Sequence, residues 1–457
     1  MNSGGNEPAL RELIAIVRIS GPLAAAYLAE IAMGIIDMVI VGRLGSVELA
    51  GVGLASSVLF EILIVSVGVV SIVAVLAAEA RGAGSTEGVR RAVRQGFLVA
   101  LLLGIPGAIA GLYLAPLLAM TGQDPEVIVF ADLYLRAATW FIIPYLLFVV
   151  LRSFLAAVAR ASAVMYVTVA AVGVNALLSY GLVFGEWGMP AMGVAGAGWA
   201  TTITVWLMLA PLVLYTAASG HFRTFHLYVA GLRVDMSVFK EIFRLGLPIA
   251  GISLLESGMF VAVSVFMGVL GPSWLAANQI MFNVCAVGFV IALAVGEACG
   301  VRVAHGVGAG APREVRRSTV TGVGLGTAVM VVSAGVLWLF PREIVSVFLD
   351  VGDPQNAEVV AYAVILAGIA AVFQLFDGLQ AVAARALRGL KDTLVPMWIA
   401  SVGYWVLGLL GGWILCFPLG YGAVGLWWGL AAGLIATGSA LVWRLMAKTR
   451  VDYSRAP

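Results

Sequence analysis

Twelve long apolar runs, each closed by a cluster of charges before the next begins, organise this chain of 457 residues. They fall at approximately 14–41, 48–78, 96–117, 126–151, 163–185, 193–217, 245–269, 274–301, 318–340, 357–384, 394–416 and 423–443. A helix needs about 20 apolar residues to cross the hydrocarbon layer of a bilayer. A lone strand cannot satisfy its backbone in lipid, and the short alternating segments of a β-barrel are absent, so the runs are predicted to be helices. The fold class expected is an all-α polytopic membrane protein with twelve transmembrane helices. Composition agrees: 62% of residues are hydrophobic and 11% charged, against about 25% charged in an ordinary soluble domain. Disordered, collagen-like and soluble globular classes are excluded on that ground.

The cations sort by loop parity. Arg11 and Arg18 precede the first run, and Arg81, Arg90, Arg91 and Arg94 follow the second. Arg152 and Arg160 follow the fourth; Arg223, Arg233, Lys240 and Arg244 follow the sixth. Arg302, Arg313, Arg316 and Arg317 follow the eighth, then Arg385, Arg388 and Lys391 the tenth, and Arg444, Lys448, Arg450 and Arg455 the last. These are 23 of the 26 Lys and Arg residues. Only Arg43 and Arg342 fall in the opposite loops, and Arg136 lies inside the fourth run. The positive-inside rule then puts both termini in the cytoplasm, and the location expected is the plasma (bacterial inner) membrane. Cys285, Cys299 and Cys416 sit in apolar runs with no disulfide or metal spacing, and His221, His226 and His305 are expected in charged loops.

The chain repeats itself. Arg18-Ile-Ser-Gly-Pro22 parallels Arg244-Leu-Gly-Leu-Pro248, and the same shift superposes Glu30 on Glu256, Gly42 on Gly268 and Arg90-Arg91 on Arg316-Arg317. The expected organisation is an N-terminal lobe at 1–217, a polar cytoplasmic linker at 218–240 and a C-terminal lobe at 241–457. Six helices per repeat keep the same orientation, so the lobes should be related by an axis along the membrane normal, with a substrate path between them. Pro22 and Pro248 lie a turn or two inside spans 1 and 7, where each removes a backbone hydrogen bond and is a candidate hinge.

A pump needs a nucleotide or an ion gradient. None of the three lysines ends a phosphate-binding Gly-x-x-x-x-Gly-Lys-Ser/Thr run, so ATP is not expected, and neither is a cofactor or nucleic acid. An ion gradient remains. Carboxylates inside the bilayer cost about 2.5–3.5 kcal/mol each, so they need a partner, a wet cavity or a task. Glu30 and Asp37, seven residues apart, share one helix face and are expected to line one cavity. Glu256 stands mid-span in the repeat position of Glu30. Asp377 lies one turn from Gln374, with Gln380 and Asn283 offering further polar atoms. Desolvated carboxyl groups of this kind suit exchange of a proton or Na⁺. Asp132 and Arg136, four apart, are expected to neutralise each other, and Glu297 to pair with Arg302.

At these residues the chain resembles the multidrug and toxic compound extrusion (MATE) family, in its NorM-like branch. The similarity rests on Gly21-Pro22, on Asp37 followed by Gly42-Arg-Leu-Gly45 and Leu49-Ala-Gly-Val-Gly53, on Gly246-Leu-Pro248, Glu256, Ala277-Asn-Gln279 and Asn283, and on Asn175 through Tyr180 to Gly196. It implies a cation-coupled antiporter that exports cationic or amphipathic organic compounds. By residue, Glu256 and Asp377 match the family's lobe-two cation site, where Na⁺ would bind, and Asp37 and Asn175 match the lobe-one polar site. Glu30, Gln279, Asn283, Phe373 and Gln374 are further candidates for contact with cation or substrate. Two departures stand out: Phe373 where some Na⁺-coupled relatives carry Tyr, and Ser179 where some carry an acid.

Three alternatives fit less well. A lipid-linked precursor flippase of the same superfamily would want a basic cavity, whereas the internal charges here are mainly acids. A polytopic membrane enzyme would need a juxtamembrane catalytic cluster, and the loops are short. A channel would not concentrate its substrate. The expected partners are a small organic substrate and membrane lipid, and the default oligomeric state is a monomer.

Overall fold

The computed structural model describes residues 6–120, 122–228 and 234–450. Arg233, Arg455 and the middle of the 218–240 linker lie outside them. Among the described residues there is no strand, and twelve helices are long and apolar enough to cross a membrane. They are α1 (Pro8–Gly42), α2 (Ser46–Gly82), α3 (Thr86–Leu112), α4 (Pro125–Ala157), α5 (Ser162–Phe184), α6 (Val194–Ala218), α7 (Met236–Leu270), α8 (Pro272–Gly308), α9 (Pro312–Leu339), α10 (Pro354–Gly389), α11 (Leu394–Cys416) and α12 (Gly422–Arg450). The protein is a multi-pass membrane protein.

Local chemistry marks the helix ends. Pro125, Pro272 and Pro312 open their helices, where a missing N–H costs nothing. Ser85 and Asp124 cap α3 and α4 by accepting the backbone N–H of Gly88 and Glu126, each at 2.9 Å. Gly185 closes α5 at φ 78°, a left-handed cap that suits glycine.

Several helices run past their apolar segments. α8 continues to Gly308, α4 to Ala157 and α10 to Gly389. Arg152, Arg302, Arg385 and Arg388 are therefore helical rather than loop residues, and His305 likewise sits inside α8. The physical reason is that helical hydrogen bonding does not stop where hydropathy does, and a cation near a helix end can reach a partner or the interface.

Two interruptions matter for the sites. In α4, Pro144 offers no N–H, and a 3₁₀ turn at Thr139–Phe141 precedes it. In α11, Val402–Leu410 is wound as a π-helix, a wide turn often found at functional positions. This segment packs closely against α12: a Cβ on Gly433 would lie 2.5 Å from the Gly403 carbonyl oxygen and 2.7 Å from the Cα of Gly408. Lipid tails are as apolar as the helices, so close backbone approach and buried polar bonds hold such bundles together more than apolar burial does.

The chain forms two compact units. One is Ala25–Ala250; within it α4 packs on α2 and α6, and α5 on α6. The other joins the chain up to Ala24 with that from Gly251 onward. There α10 lies against α8, α9 and α12, around a core that includes Met259, Met281, Phe373, Tyr404 and Trp427. Each division falls two residues beyond a proline inside a helix, Pro22 in α1 and Pro248 in α7.

Candidate functional site

Two polar clusters stand out, one in each compact unit. In the unit containing α8–α12, Glu256 of α7 and Asp377 of α10 are brought to the same amide. Gln380, one turn after Asp377, donates from Nε2 to Glu256 Oε1 at 3.1 Å and to Asp377 Oδ1 at 3.2 Å. The Tyr404 hydroxyl, on the π-helical segment of α11, donates to Gln380 Oε1. Asp377 and Gln380 are each 3% exposed and Tyr404 is fully buried, while Glu256 is half-buried. Arg385 and Arg388 follow Asp377 on α10 by about two and three turns; Arg385 acts on both acids at longer range and Arg388 on Glu256.

In the other unit, Asp37 of α1 is surrounded by neutral donors. Ser179 of α5 donates to Oδ1; Thr201 of α6 donates to Oδ2 at 2.9 Å and Asn175 of α5 at 3.4 Å. Asn175 is 1% exposed, and its Oδ1 has no hydrogen-bond partner among the described residues. Tyr134 of α4 adjoins Thr201. A carboxylate, two hydroxyls and an idle amide oxygen form an all-oxygen donor set. Hard cations prefer such a set, and a proton needs only the carboxylate.

Four other acids, Glu30, Glu12, Glu297 and Asp132, lie against resident cations. Glu30 accepts from Arg152 at 3.0 Å and from the Tyr145 hydroxyl at 2.9 Å, with the Arg152 guanidinium 4.8 Å from the centre of the Tyr27 ring. Glu30 and Asp37 thus have different hydrogen-bond partners. They share a face of α1, but α4 meets one and α5–α6 the other. Glu12 forms a bidentate pair with Arg302, both bonds 2.8 Å, and accepts from Ser318 at 2.7 Å. Arg302 is therefore committed to Glu12, and Glu297 faces Arg385 at 4.0 Å instead. Asp132 and Arg136 pair at 2.7 Å on the surface, as their spacing predicts.

The other candidates separate from the acid pair. Gln279 and Asn283 are exposed, and the Asn283 amide donates to the Gln279 carbonyl at 2.8 Å. Gln374 is buried and donates to the Cys285 carbonyl at 3.2 Å. Phe373 packs in the core with ring centres 6.2 Å from Phe260 and 5.6 Å from Trp427. Sequence reasoning missed Thr201, Tyr145 and Tyr404. The first two carry no local signal; for Tyr404, a single phenol in an apolar run looks like any packing residue.

Comparison with known proteins bears on what these clusters serve. The MatE family model matches residues 22–181 and again 248–414, the second match starting 226 residues after the first, as the repeat requires. The chain is 40% identical over 440 residues to the multidrug resistance protein NorM of Burkholderia vietnamiensis, covering 96% of this chain and 95% of that one. It is 37% identical to a probable multidrug resistance protein NorM of Pseudomonas aeruginosa, covering 97% and 91%. Among solved structures it superposes on the eukaryotic MATE transporter AtDTX14 with a TM-score of 0.86 at 22% identity, covering 98% of this chain and 97% of that one. A MOP superfamily transporter from Pyrococcus furiosus gives a TM-score of 0.87 at 17% identity, with complete coverage of both chains.

Proposed function

This chain belongs to the MATE family of transporters, and on that premise we propose that it exports cationic or amphipathic organic compounds in exchange for Na⁺ or H⁺. It is a carrier rather than an enzyme, and its family works without a cofactor. The observation that supports the coupling most directly is a contrast among its acids. Glu30, Glu12, Asp132 and Asp392 each hold a cationic side chain. Asp37, Glu256 and Asp377 accept hydrogen bonds from neutral donors instead. Carboxylates kept inside a membrane with no cationic side chain bonded to them are open to a mobile cation.

The mechanism follows from competition. An inorganic cation and an organic cation would each be drawn to the same carboxylates. Occupancy by one would exclude the other and make exchange obligatory, because a ligand shifts a conformational equilibrium only by its differential affinity for the two states. Asp37 with Asn175 would serve one lobe and Glu256 with Asp377 the other. The repeat supports lobes at 1–217 and 241–457 joined by the 218–240 linker, rocking in alternating access as a monomer in the plasma membrane with both termini cytoplasmic. Pro22 and Pro248, each two residues from a break between compact units, would be the hinges.

Purified protein in liposomes tests this. Efflux of a fluorescent organic cation should be driven by an imposed Na⁺ gradient or pH gradient, with no ATP present. Glu256→Gln and Asp377→Asn should insert normally and lose driven efflux; full efflux by both variants would overturn the assignment.

A further inference from the structure

Gln380 makes a contact that coupling chemistry as proposed above does not need. One NH₂ group spans two carboxylates, at 3.1 and 3.2 Å, while its own oxygen is held by the buried Tyr404 hydroxyl. The two N–H bonds of a primary amide diverge by about 120°, so the carboxylate oxygens they reach lie about 5–6 Å apart. A hard cation with oxygen ligands at about 2.3–2.6 Å bridges oxygens no more than about 5 Å apart. A cation at these oxygens competes with the amide for the same lone pairs and repels the positive ends of its N–H dipoles, so ion loading opposes both bonds. A proton has the same effect by another route, since it removes an acceptor.

We propose that Gln380 is a positioning residue that stands in for the coupling cation when the Glu256–Asp377 pair is empty, and that Tyr404 holds its amide in the orientation this requires. The amide offers the positive ends of two N–H dipoles without a net charge. It stabilises the empty pair enough to keep both carboxylates aimed inward, and it yields to a full charge. Tyr404 is suited to the second part. Its ring is buried where the π-helical turn of α11 packs on α12, Gly403 lying against Thr437 and Gly433. Its hydroxyl meets the one amide atom that would otherwise turn toward the acids and repel them. An Arg or Lys in the place of Gln380 would fill the site permanently, as Arg152 does at Glu30.

The inference rests on the antiport reading, and the experiment separates the two. Full-length protein in liposomes carries out ethidium efflux while Na⁺ is titrated at fixed pH, and in a second series while pH is varied without Na⁺. Gln380→Leu removes the competing donor and Tyr404→Phe frees the amide without changing core volume. In the series that drives the wild type, the half-saturating ion concentration should fall about ten-fold for Gln380→Leu, equivalent to about 1.4 kcal/mol. Tyr404→Phe should shift it the same way by a smaller factor. Maximal efflux should fall in both, because ion release slows. A merely loosened site would bind ions more weakly, so an unchanged or raised half-saturation in Tyr404→Phe, whose fold is least disturbed, overturns the inference. Failure of both gradients to drive wild-type efflux overturns the antiport reading and this inference with it.

Discussion

Glu30 and Arg152 meet across 122 residues of chain at 3.0 Å, with 19% and 8% of their side chains exposed. The same carboxylate takes the Tyr145 hydroxyl, and the guanidinium lies over two aromatic rings. The pair is a closed unit, with each charge neutralised and both carboxylate oxygens of Glu30 occupied.

Removing one partner should leave a buried charge unmatched. Glu30→Gln is expected to destabilise the protein by about 3–5 kcal/mol, visible as a lower melting temperature in detergent. Combining it with Arg152→Met should recover most of the loss, because the orphaned guanidinium goes too. If the single variant melts like the wild type, the pair carries no structural weight.

Asp37 should behave in the opposite way. Its partners are neutral donors, so Asp37→Asn leaves no stranded charge, and melting should change by less than about 1 kcal/mol. Ion-driven dye efflux should nevertheless drop at least about ten-fold at equal membrane abundance. Destabilisation as large as that of Glu30→Gln would place Asp37 among the structural acids.

Asp392, in the short loop between α10 and α11, gives a pH signature. Burial pushes its carboxyl up, but bonds from Arg444 at 2.7 Å and Lys448 at 2.8 Å outweigh that and hold it below its ordinary value of 3.8. A depressed carboxyl contributes stability that is complete above its ordinary value and is lost as pH falls through the lower folded value. Melting of the wild type should therefore decline below about pH 4 more steeply than that of Asp392→Asn, which lacks this contribution throughout. Parallel curves for the two proteins would contradict it.

Gly429 tests the contact of α12 with the last turns of α11, just past the π-helical segment. A methyl there would meet the Gly412 backbone, which no rotamer change can clear. Gly429→Val should cost about 3 kcal/mol or more and reduce the folded yield seen by size-exclusion chromatography. Gly324→Val, where nothing lies within 4 Å of the added Cβ, is the control and should be tolerated.

The twelve spans could be read from residue order alone, because lipid imposes a constraint along one dimension: a backbone that cannot reach water must bond within its own segment. The repeat was legible for a similar reason, since equivalent residues keep a constant offset. Asp37, Glu256 and Asp377 announced themselves as acids in apolar surroundings, but so did Glu30. What separates Glu30 from Asp37 is the rotation of α4, which sets Arg152 against the first and leaves the second to Ser179 and Thr201.

Residue order thus prescribes which segments enter the membrane and which ionisable groups go with them, since transfer into lipid depends on each segment's own atoms. Whether an acid is silenced by an arginine or left available depends on atoms contributed by helices far away in the chain. Arg302 reaches Glu12 rather than Glu297, and Gln380 reaches Glu256 across 124 residues. No local pattern encodes those distances, because they arise only when helices pack and each side chain finds its nearest complement.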